Sequence, residues 1–225
     1  MAIVLPSAPV VAECTDPEIL ILYGATKVGK TTTLTKLKNC LIIDTERGTK
    51  SIKALKININ NLPELGELAK ELKKKEKSYQ FIAIDTIDNI VNWVEEDVCS
   101  TYGVKTIGDI PYGAGYAYVR TRTMSIITLM KSVCSYLIVI GHRKRTIIGT
   151  DSVEVDTKSL DLTGKLKNVI MAGADSIGHV YRDQDNGLRV SFKTSNEVEA
   201  GSRNKHLAGN DIPFVWEEIY KFLNK

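Results

Sequence analysis

Several features that would assign this chain to a specialised class are missing from it. Its four cysteines, Cys14, Cys40, Cys99 and Cys134, show no C-x-x-C spacing. Their scatter argues against a disulfide framework or a zinc site and fits a reducing cytosol. No apolar run approaches membrane-spanning length, and the amino-terminal stretch lacks the basic region of a signal peptide. We therefore expect a soluble, cytoplasmic protein without membrane contact.

The chain also lacks a dominant charge. Its formal net charge is +3, with 43% hydrophobic and 25% charged residues, as in an ordinary globular protein. Such a balance neither demands nor excludes a polyanionic partner. The 225 residues suffice for one large core. We expect an extended arm over residues 1–16 and a single domain over residues 17–225.

The most specific pattern is an apolar strand, Ile19 to Tyr23, that runs into a glycine-rich turn. The turn has the G-x-x-x-x-G-K-[ST] spacing of a P-loop, which predicts nucleoside triphosphate binding. Its backbone N–H groups would surround phosphate oxygens, Lys30 would reach the β- and γ-phosphates, and the Thr31 hydroxyl would bind Mg²⁺. The predicted contacts with ATP come from Gly24, Ala25, Thr26, Lys27, Val28, Gly29, Lys30, Thr31 and Thr32.

Further apolar strands alternate with helical patterns along the chain. This alternation predicts an α/β fold with a mostly parallel sheet and helices on both faces. Two late strands joined by Asp185-Asn186-Gly187 predict an antiparallel hairpin at one edge. Residues 146–168 are polar, and we expect them to be irregular.

Two carboxylates follow predicted strands. Asp85 ends the strand that begins at Phe81 and would support Mg²⁺ through water; the alternative is a helix cap or a loop aspartate. Glu46 lies just past the strand of residues 40–44. If that strand is adjacent to the P-loop strand, Glu46 faces the γ-phosphate as a general base. Otherwise it is a solvated loop residue or a partner of Arg47.

His142 follows a third strand and could sense the γ-phosphate, or be a hydrogen-bonded turn residue. Zinc binding is not expected, because His142, His179 and His206 have no ligand-like spacing.

Taken in order, these motifs resemble those of the RecA-fold ATPases, and are closest to phage-encoded RecA-core nucleotide-binding proteins of single-strand annealing and recombination. The resemblance covers about residues 17–210 and implies a P-loop ATPase in which Glu46 is the catalytic base. RecA-like proteins usually carry glutamine where this chain has His142. The resemblance also implies assembly into rings or filaments, in which Arg203 or Lys205 would complete a neighbouring subunit's site. The alternative is a basic loop that is solvated or touches DNA.

Two segments could hold single-stranded DNA. In the glycine- and tyrosine-rich stretch, Tyr112 and Tyr116 could stack on bases while Arg120 and Arg122 meet phosphate. Alternatively, the tyrosines pack the loop. The second segment contains Arg143, Lys144 and Arg145. In RecA-like folds, loops after the third and fourth core strands line the central channel, which favours both segments.

The hypothesis from the sequence is a Mg-dependent, DNA-stimulated ATPase that acts on single-stranded DNA in recombination or annealing. A small-molecule phosphotransferase is an alternative, although no lid segment with several arginines is evident. A nucleotide-gated assembly factor that binds protein is another.

Overall fold

The computed structural model describes residues 5, 7–8, 15–75, 78–150, 153–162 and 164–224, without the side chains of residues 145–150 and 153–156. Most of the predicted arm, residues 1–16, therefore lies outside the described residues. The strands are β1 (Ile19–Gly24), β2 (Cys40–Asp44), β3 (Lys56–Asn58), β4 (Phe81–Asp85), β5 (Tyr136–Thr150), β6 (Val153–Leu160), β7 (Ser176–Arg182), β8 (Leu188–Ser191), β9 (Gly201–Ser202) and β10 (Asp211–Pro213).

The helices alternate with the strands through most of the chain. They are α1 (Lys30–Leu34), α2 (Leu62–Lys74), α3 (Ile87–Tyr102), α4 (Ala114–Ser132), α5 (Gly164–Gly173) and α6 (Trp216–Ile219). Short 3-10 turns occupy Ile107–Asp109, Pro111–Gly113 and Lys221–Asn224. No helix within the described ranges combines the length and apolar character needed to cross a membrane.

All ten strands belong to one sheet system, in the order β10-β8-β7-β1-β5-β4-β2-β3, with β6 paired to β5 and β9 to β7. The six strands from β7 to β3 in this order pair in parallel. The strands β8, β9, β10 and β6 pair antiparallel. The mixed α/β fold and the late antiparallel hairpin are thus as predicted.

The sheet is buried on both faces because its central strands are continuous apolar runs. On one face, Ile21 and Tyr23 of β1 belong to a cluster that contains residues of α2, α3, α4 and α5. On the other face, Leu20 and Leu22 pack with α1 and the carboxy-terminal segment. Helical elements therefore cover both faces, as expected for a mostly parallel sheet.

The expectation for residues 146–168 was wrong. The strand β5 continues to Thr150 and turns back through β6, so that Arg143 pairs with Leu160 and Thr150 with Val153. A two-stranded antiparallel ribbon satisfies its backbone hydrogen bonds by pairing the two strands and does not need both faces buried. Such a segment therefore needs no apolar run, and its polar composition gives no sign of strands. The division into an arm and one domain stays a prediction.

Candidate functional site

The P-loop lies at the carboxyl end of β1, with α1 beginning at Lys30. Two of its glycines are required by geometry. Gly29 has φ of 120°, and a Cβ on Gly24 would lie 2.3 Å from the carbonyl oxygen of Val180. A side chain at Gly24 would therefore separate β1 from β7, and one at Gly29 would strain the turn.

Lys30 is buried within this turn. Its ammonium group donates to the carbonyl oxygens of Gly24 and Ala25, both at 2.9 Å. Burial lowers the pKa of Lys30, although the nearby carboxylates, Asp85 first among them, act in the opposite direction. The lysine is thus held inside the loop in which the motif places a phosphate.

Thr31 and Asp85 form a direct pair, since the Thr31 hydroxyl donates to Asp85 Oδ2 at 2.6 Å. Burial, together with the charges of Glu46 and Asp44, raises the pKa of Asp85 to about 6, although the hydrogen bond from Thr31 and the charge of Lys30 act to lower it. Hydroxyl and carboxylate oxygens are ligands that suit Mg²⁺, which usually takes few protein ligands and retains water or phosphate oxygens. The pair therefore fits the metal that the P-loop motif implies.

Glu46 reaches the site by a different route from the one expected. The strand β2 is not adjacent to β1, because β5 and β4 lie between them. The adjacency on which the expectation depended is therefore wrong. The loop after β2 nevertheless brings Glu46 to the P-loop cavity, where the Thr86 hydroxyl donates to Glu46 Oε1 at 2.9 Å.

Asp44 shapes the loop that carries Glu46. Its carboxylate accepts hydrogen bonds from the backbone N–H groups of Glu46, Gly48 and Thr49 and from the Thr49 hydroxyl. Burial acts to raise the pKa of Asp44, but these hydrogen bonds outweigh it and hold the pKa below its ordinary value. The sequence does not predict this role, because a carboxylate at the end of a strand gives no indication of which backbone N–H groups will donate hydrogen bonds to it.

His142 lies where β5 passes the site. Its Nδ1 is 3.4 Å from Asp88 Oδ2 and 3.7 Å from Glu46 Oε1. The predicted sensor is therefore in contact with the predicted base. Thr86 and Asp88, which complete this group, were not predicted, since polar residues at the start of a helix such as α3 are common and carry no specific signal.

Most of these side chains, though not Asp44 and Asp88, line one cavity of about 430 Å³, at the carboxyl ends of β1, β2 and β4 and beside the middle of β5. Ligands bind at this edge of open α/β sheets. The lining residues are Thr26, Lys27, Gly29, Lys30, Thr31, Thr32, Glu46, Gly48, Ile52, Asp85, Thr86 and His142. Among the residues that the structure describes, no group of three or more His, Cys, Asp or Glu side chains could hold a metal by itself.

Arg203 and Lys205 lie away from this cavity. The Arg203 guanidinium donates to the carbonyl oxygen of Ala172, and the Arg203 backbone N–H donates to the carbonyl oxygen of Asp175. The Asp175 carboxylate in turn accepts from the N–H of Ile19, the first residue of β1. The P-loop follows the other end of β1, about 20 Å away for a strand of this length. The structure therefore does not place Arg203 in its own chain's site, and exposed Lys205 follows it in the same turn; a role in a neighbouring subunit stays a prediction.

The glycine- and tyrosine-rich stretch follows α3 rather than a strand, so it is not a loop at a strand tip as the resemblance implied. Tyr112 is fully exposed at φ of 59°, and Tyr116 is exposed in the first turn of α4. Arg120 lies one helical turn after Tyr116. Arg122 forms an ion pair with Asp97 of α3.

The second basic segment lies on β5 instead of in a loop. Arg143 is half-buried. Burial is the main cause of the lowered pKa of Lys30, and the positive charge of Arg143 lowers it a little more, against the effect of the carboxylates. Lys144 is exposed, and the Arg145 side chain lies outside the described residues. Of the predicted basic residues, Arg143 is therefore electrostatically linked to the P-loop.

Comparison with known proteins agrees with this geometry. Residues 16–204 match the model of the AAA domain family AAA_24. The chain belongs to this AAA domain family. The match and the P-loop together make it a protein of the P-loop ATPase type.

The chain is also similar to the SPbeta prophage-derived uncharacterized protein YorG of Bacillus subtilis (strain 168). The two are 27% identical over 143 residues, which cover 61% of this chain and 44% of YorG. The chain thus matches less than half the length of this relative.

Proposed function

We propose that the protein is a Mg²⁺-dependent ATPase of RecA-like type that acts on single-stranded DNA in phage-type recombination or annealing. The observation that carries the ATPase part is the convergence of Lys30, Thr31, Asp85, Glu46 and His142 on one cavity at the strand ends. These residues come from separate stretches of the chain, and together they provide a cation, a hydroxyl–carboxylate pair and a carboxylate base.

The contacts within the site suggest how it works. Lys30 exchanges its two carbonyl acceptors for phosphate oxygens, which need a cation more than neutral carbonyls do. Thr31, and Asp85 through water, would hold Mg²⁺, and the metal would supply neutralising charge to the phosphates. Glu46, oriented by the Thr86 hydroxyl, accepts a proton from the attacking water.

Replacement of Lys30 tests the ATPase proposal. We expect Lys30→Ala to weaken ATP affinity at least about tenfold and to abolish turnover, since charge-assisted hydrogen bonds contribute about 1.5–3 kcal/mol each. Phosphate release and nucleotide binding are measured with and without Mg²⁺. Lys36→Ala, an exposed lysine shortly after α1, is the matched control and should behave like the wild type. Unchanged turnover in Lys30→Ala would contradict the site assignment.

Three features support the DNA part of the proposal. Tyr112 and Tyr116 expose rings that can stack on bases. Arg143 places positive charge beside the P-loop. The relative YorG is prophage-derived. We further propose that subunits assemble on the DNA and that Arg203 or Lys205 of one subunit approaches the P-loop of the next.

Size analysis of the purified protein with and without ATP and single-stranded DNA tests this second part. We expect larger assemblies when both ligands are present, and DNA affinity that falls steeply with salt concentration. Tyr112→Ala should weaken DNA binding at least about fivefold, since stacking contributes about 1–3 kcal/mol per base. Leu55→Ala, at an exposed apolar side chain remote from both segments along the chain, is the control. Absence of salt-sensitive DNA binding would leave an ATPase without the recombination role, and phosphate transfer to a small molecule instead of water would favour a phosphotransferase.

A further inference from the structure

Asp88 is a carboxylate next to the candidate site to which the P-loop motifs give no role. It lies in the first turn of α3, and its side chain is mostly buried. Its Oδ2 accepts the backbone N–H of His142 at 3.3 Å and lies 3.4 Å from Nδ1 of the same residue. Asp88 thus contacts both the backbone and the ring of His142, the residue of β5 that passes the site.

Close packing makes this double contact possible. A Cβ on Gly141 would lie 2.3 Å from Leu160 Cδ1, so the position before His142 has no room for a side chain. The start of α3 packs at ordinary contact distance from the same point, with Ile87 Cγ2 at 3.4 Å and Asp88 Oδ2 at 3.6 Å. Burial raises the pKa of Asp88, while the charge of His142 and the hydrogen bonds to the carboxylate oppose this. A buried carboxylate is costly unless its partners are well placed, and here the backbone N–H of His142 is such a partner, with the imidazole beside it.

The contacts also define how the imidazole is turned. Both Asp88 and Glu46 lie near Nδ1, so Nε2, on the other side of the ring, is the nitrogen left for a ligand. His142 lines the P-loop cavity. A carboxylate that accepts from one ring nitrogen fixes the orientation and tautomer of the other.

We propose that Asp88 is a positioning residue that acts through His142 in ATP turnover. It holds the ring so that Nε2 faces the γ-phosphate or the attacking water, while Nδ1 stays beside the base Glu46. This inference rests on the proposed ATPase function. Without Asp88 the ring is free to rotate away from the cavity, whereas the P-loop contacts that bind ATP remain.

The test compares kcat and KM for ATP hydrolysis in single and double variants. Asp88→Ala should lower kcat about tenfold, as loss of a group that orients a functional histidine does elsewhere, and leave KM within about twofold. Asp88→Asn should retain most of the activity, because its amide oxygen keeps a hydrogen-bond acceptor beside Nδ1 and the backbone N–H of His142. Glu96→Ala, an exposed carboxylate on the same helix, is the control and should match the wild type.

The decisive comparison is made in the His142→Ala background. There the additional change Asp88→Ala should lower kcat no further, because the residue through which it acts is gone. An equal loss in both backgrounds, or an unchanged kcat in the single variant, overturns the inference. If Asp88→Ala does not fold, as judged by thermal unfolding, Asp88→Ser replaces it, since serine suits a helix start but is too short to reach the ring.

The two levels of the proposal fail differently. Wild-type protein without Mg²⁺-dependent turnover overturns the ATPase proposal and this inference with it. Wild-type turnover that is insensitive to Asp88 overturns the inference alone.

Discussion

At the scale of single residues, His179 on β7 shows how the sheet constrains a titratable group. The ring is buried, lies 5.2 Å from Tyr23 and 5.7 Å from Tyr181 between ring centroids, and its Nε2 has no hydrogen-bond partner within the described part of the chain. Burial, helped by the charges of Arg143 and Lys158, lowers the pKa of His179 to about 4, although Asp211 acts to raise it.

This lowered pKa predicts acid sensitivity. In the unfolded chain the pKa of histidine is about 6.5, so the neutral ring favours folding above that pH. The contribution is lost as the pH falls through the window from about 6.5 to about 4, and its full size is at most about 3 kcal/mol. His179→Phe should flatten the free energy of unfolding across this window, measured by urea titration at several pH values. If the free energy of unfolding of the variant fell with pH as steeply as that of the wild type, His179 would not be the source of the acid sensitivity.

The site residues differ in how far they can be predicted. Lys30, Thr31 and Asp85 are predictable because a phosphate and its metal demand these side chains at a strand end. The position of Glu46 after a strand predicts its place at the site, but the predicted adjacency of β2 and β1 is wrong. Asp44, Thr86 and Asp88 were missed, because their roles consist of contacts with residues that are distant in sequence.

At the scale of elements, the junction of β1, β7 and β8 is tightly packed around a glycine. A Cβ on Gly178 would lie 2.6 Å from Val190 Cγ2 and 2.9 Å from Leu22 Cδ2. By contrast, a Cβ on Gly66 within α2 would meet nothing within 4 Å. A methyl group added at Gly178 would therefore clash with its neighbours, whereas one added at Gly66 would not.

A matched pair of substitutions tests this contrast. Gly178→Ala should destabilise the fold by about 1–3 kcal/mol through overpacking. Gly66→Ala should stabilise it by up to about 1 kcal/mol, because alanine has the higher helix propensity. Denaturant unfolding measures both. A Gly178→Ala protein as stable as the wild type would show that β7 and β8 can separate without cost.

The β5–β6 ribbon is the element that pattern reading missed. Periodicity and apolar runs report burial, and this ribbon pairs strand with strand without needing a buried run. Its existence could not be deduced from a segment whose polar composition equally suits a loop.

At the scale of the whole molecule, the carboxy-terminal segment closes the face behind the P-loop. The Trp216 indole N–H donates to the carbonyl of Thr33 at 2.7 Å, and Trp216 and Tyr220 are buried in the same cluster as Leu34. The last elements of the chain therefore support α1, the helix whose first residues are Lys30 and Thr31.

Removal of this support predicts a large loss of stability. Trp216→Ala should cost about 3–5 kcal/mol, as for other buried large-to-small changes, while Trp216→Phe should cost much less because most of the packing remains. Thermal unfolding with and without MgATP measures both effects. Val215→Ala, at a half-exposed neighbouring position, is the control and should change stability by no more than about 0.5 kcal/mol. Equal stability of the Trp216→Ala and Val215→Ala proteins would contradict the supporting role.

The sequence alone determined the P-loop and the alternation of strands and helices, because phosphate binding and burial on both faces of a sheet impose local patterns. The tertiary structure decided the strand order, and with it the route by which Glu46, His142 and Asp88 meet Lys30. It also separated Arg203 from its own chain's P-loop. These relations depend on pairing between distant segments, which follows from the packing of the whole sheet rather than from any local stretch of the chain.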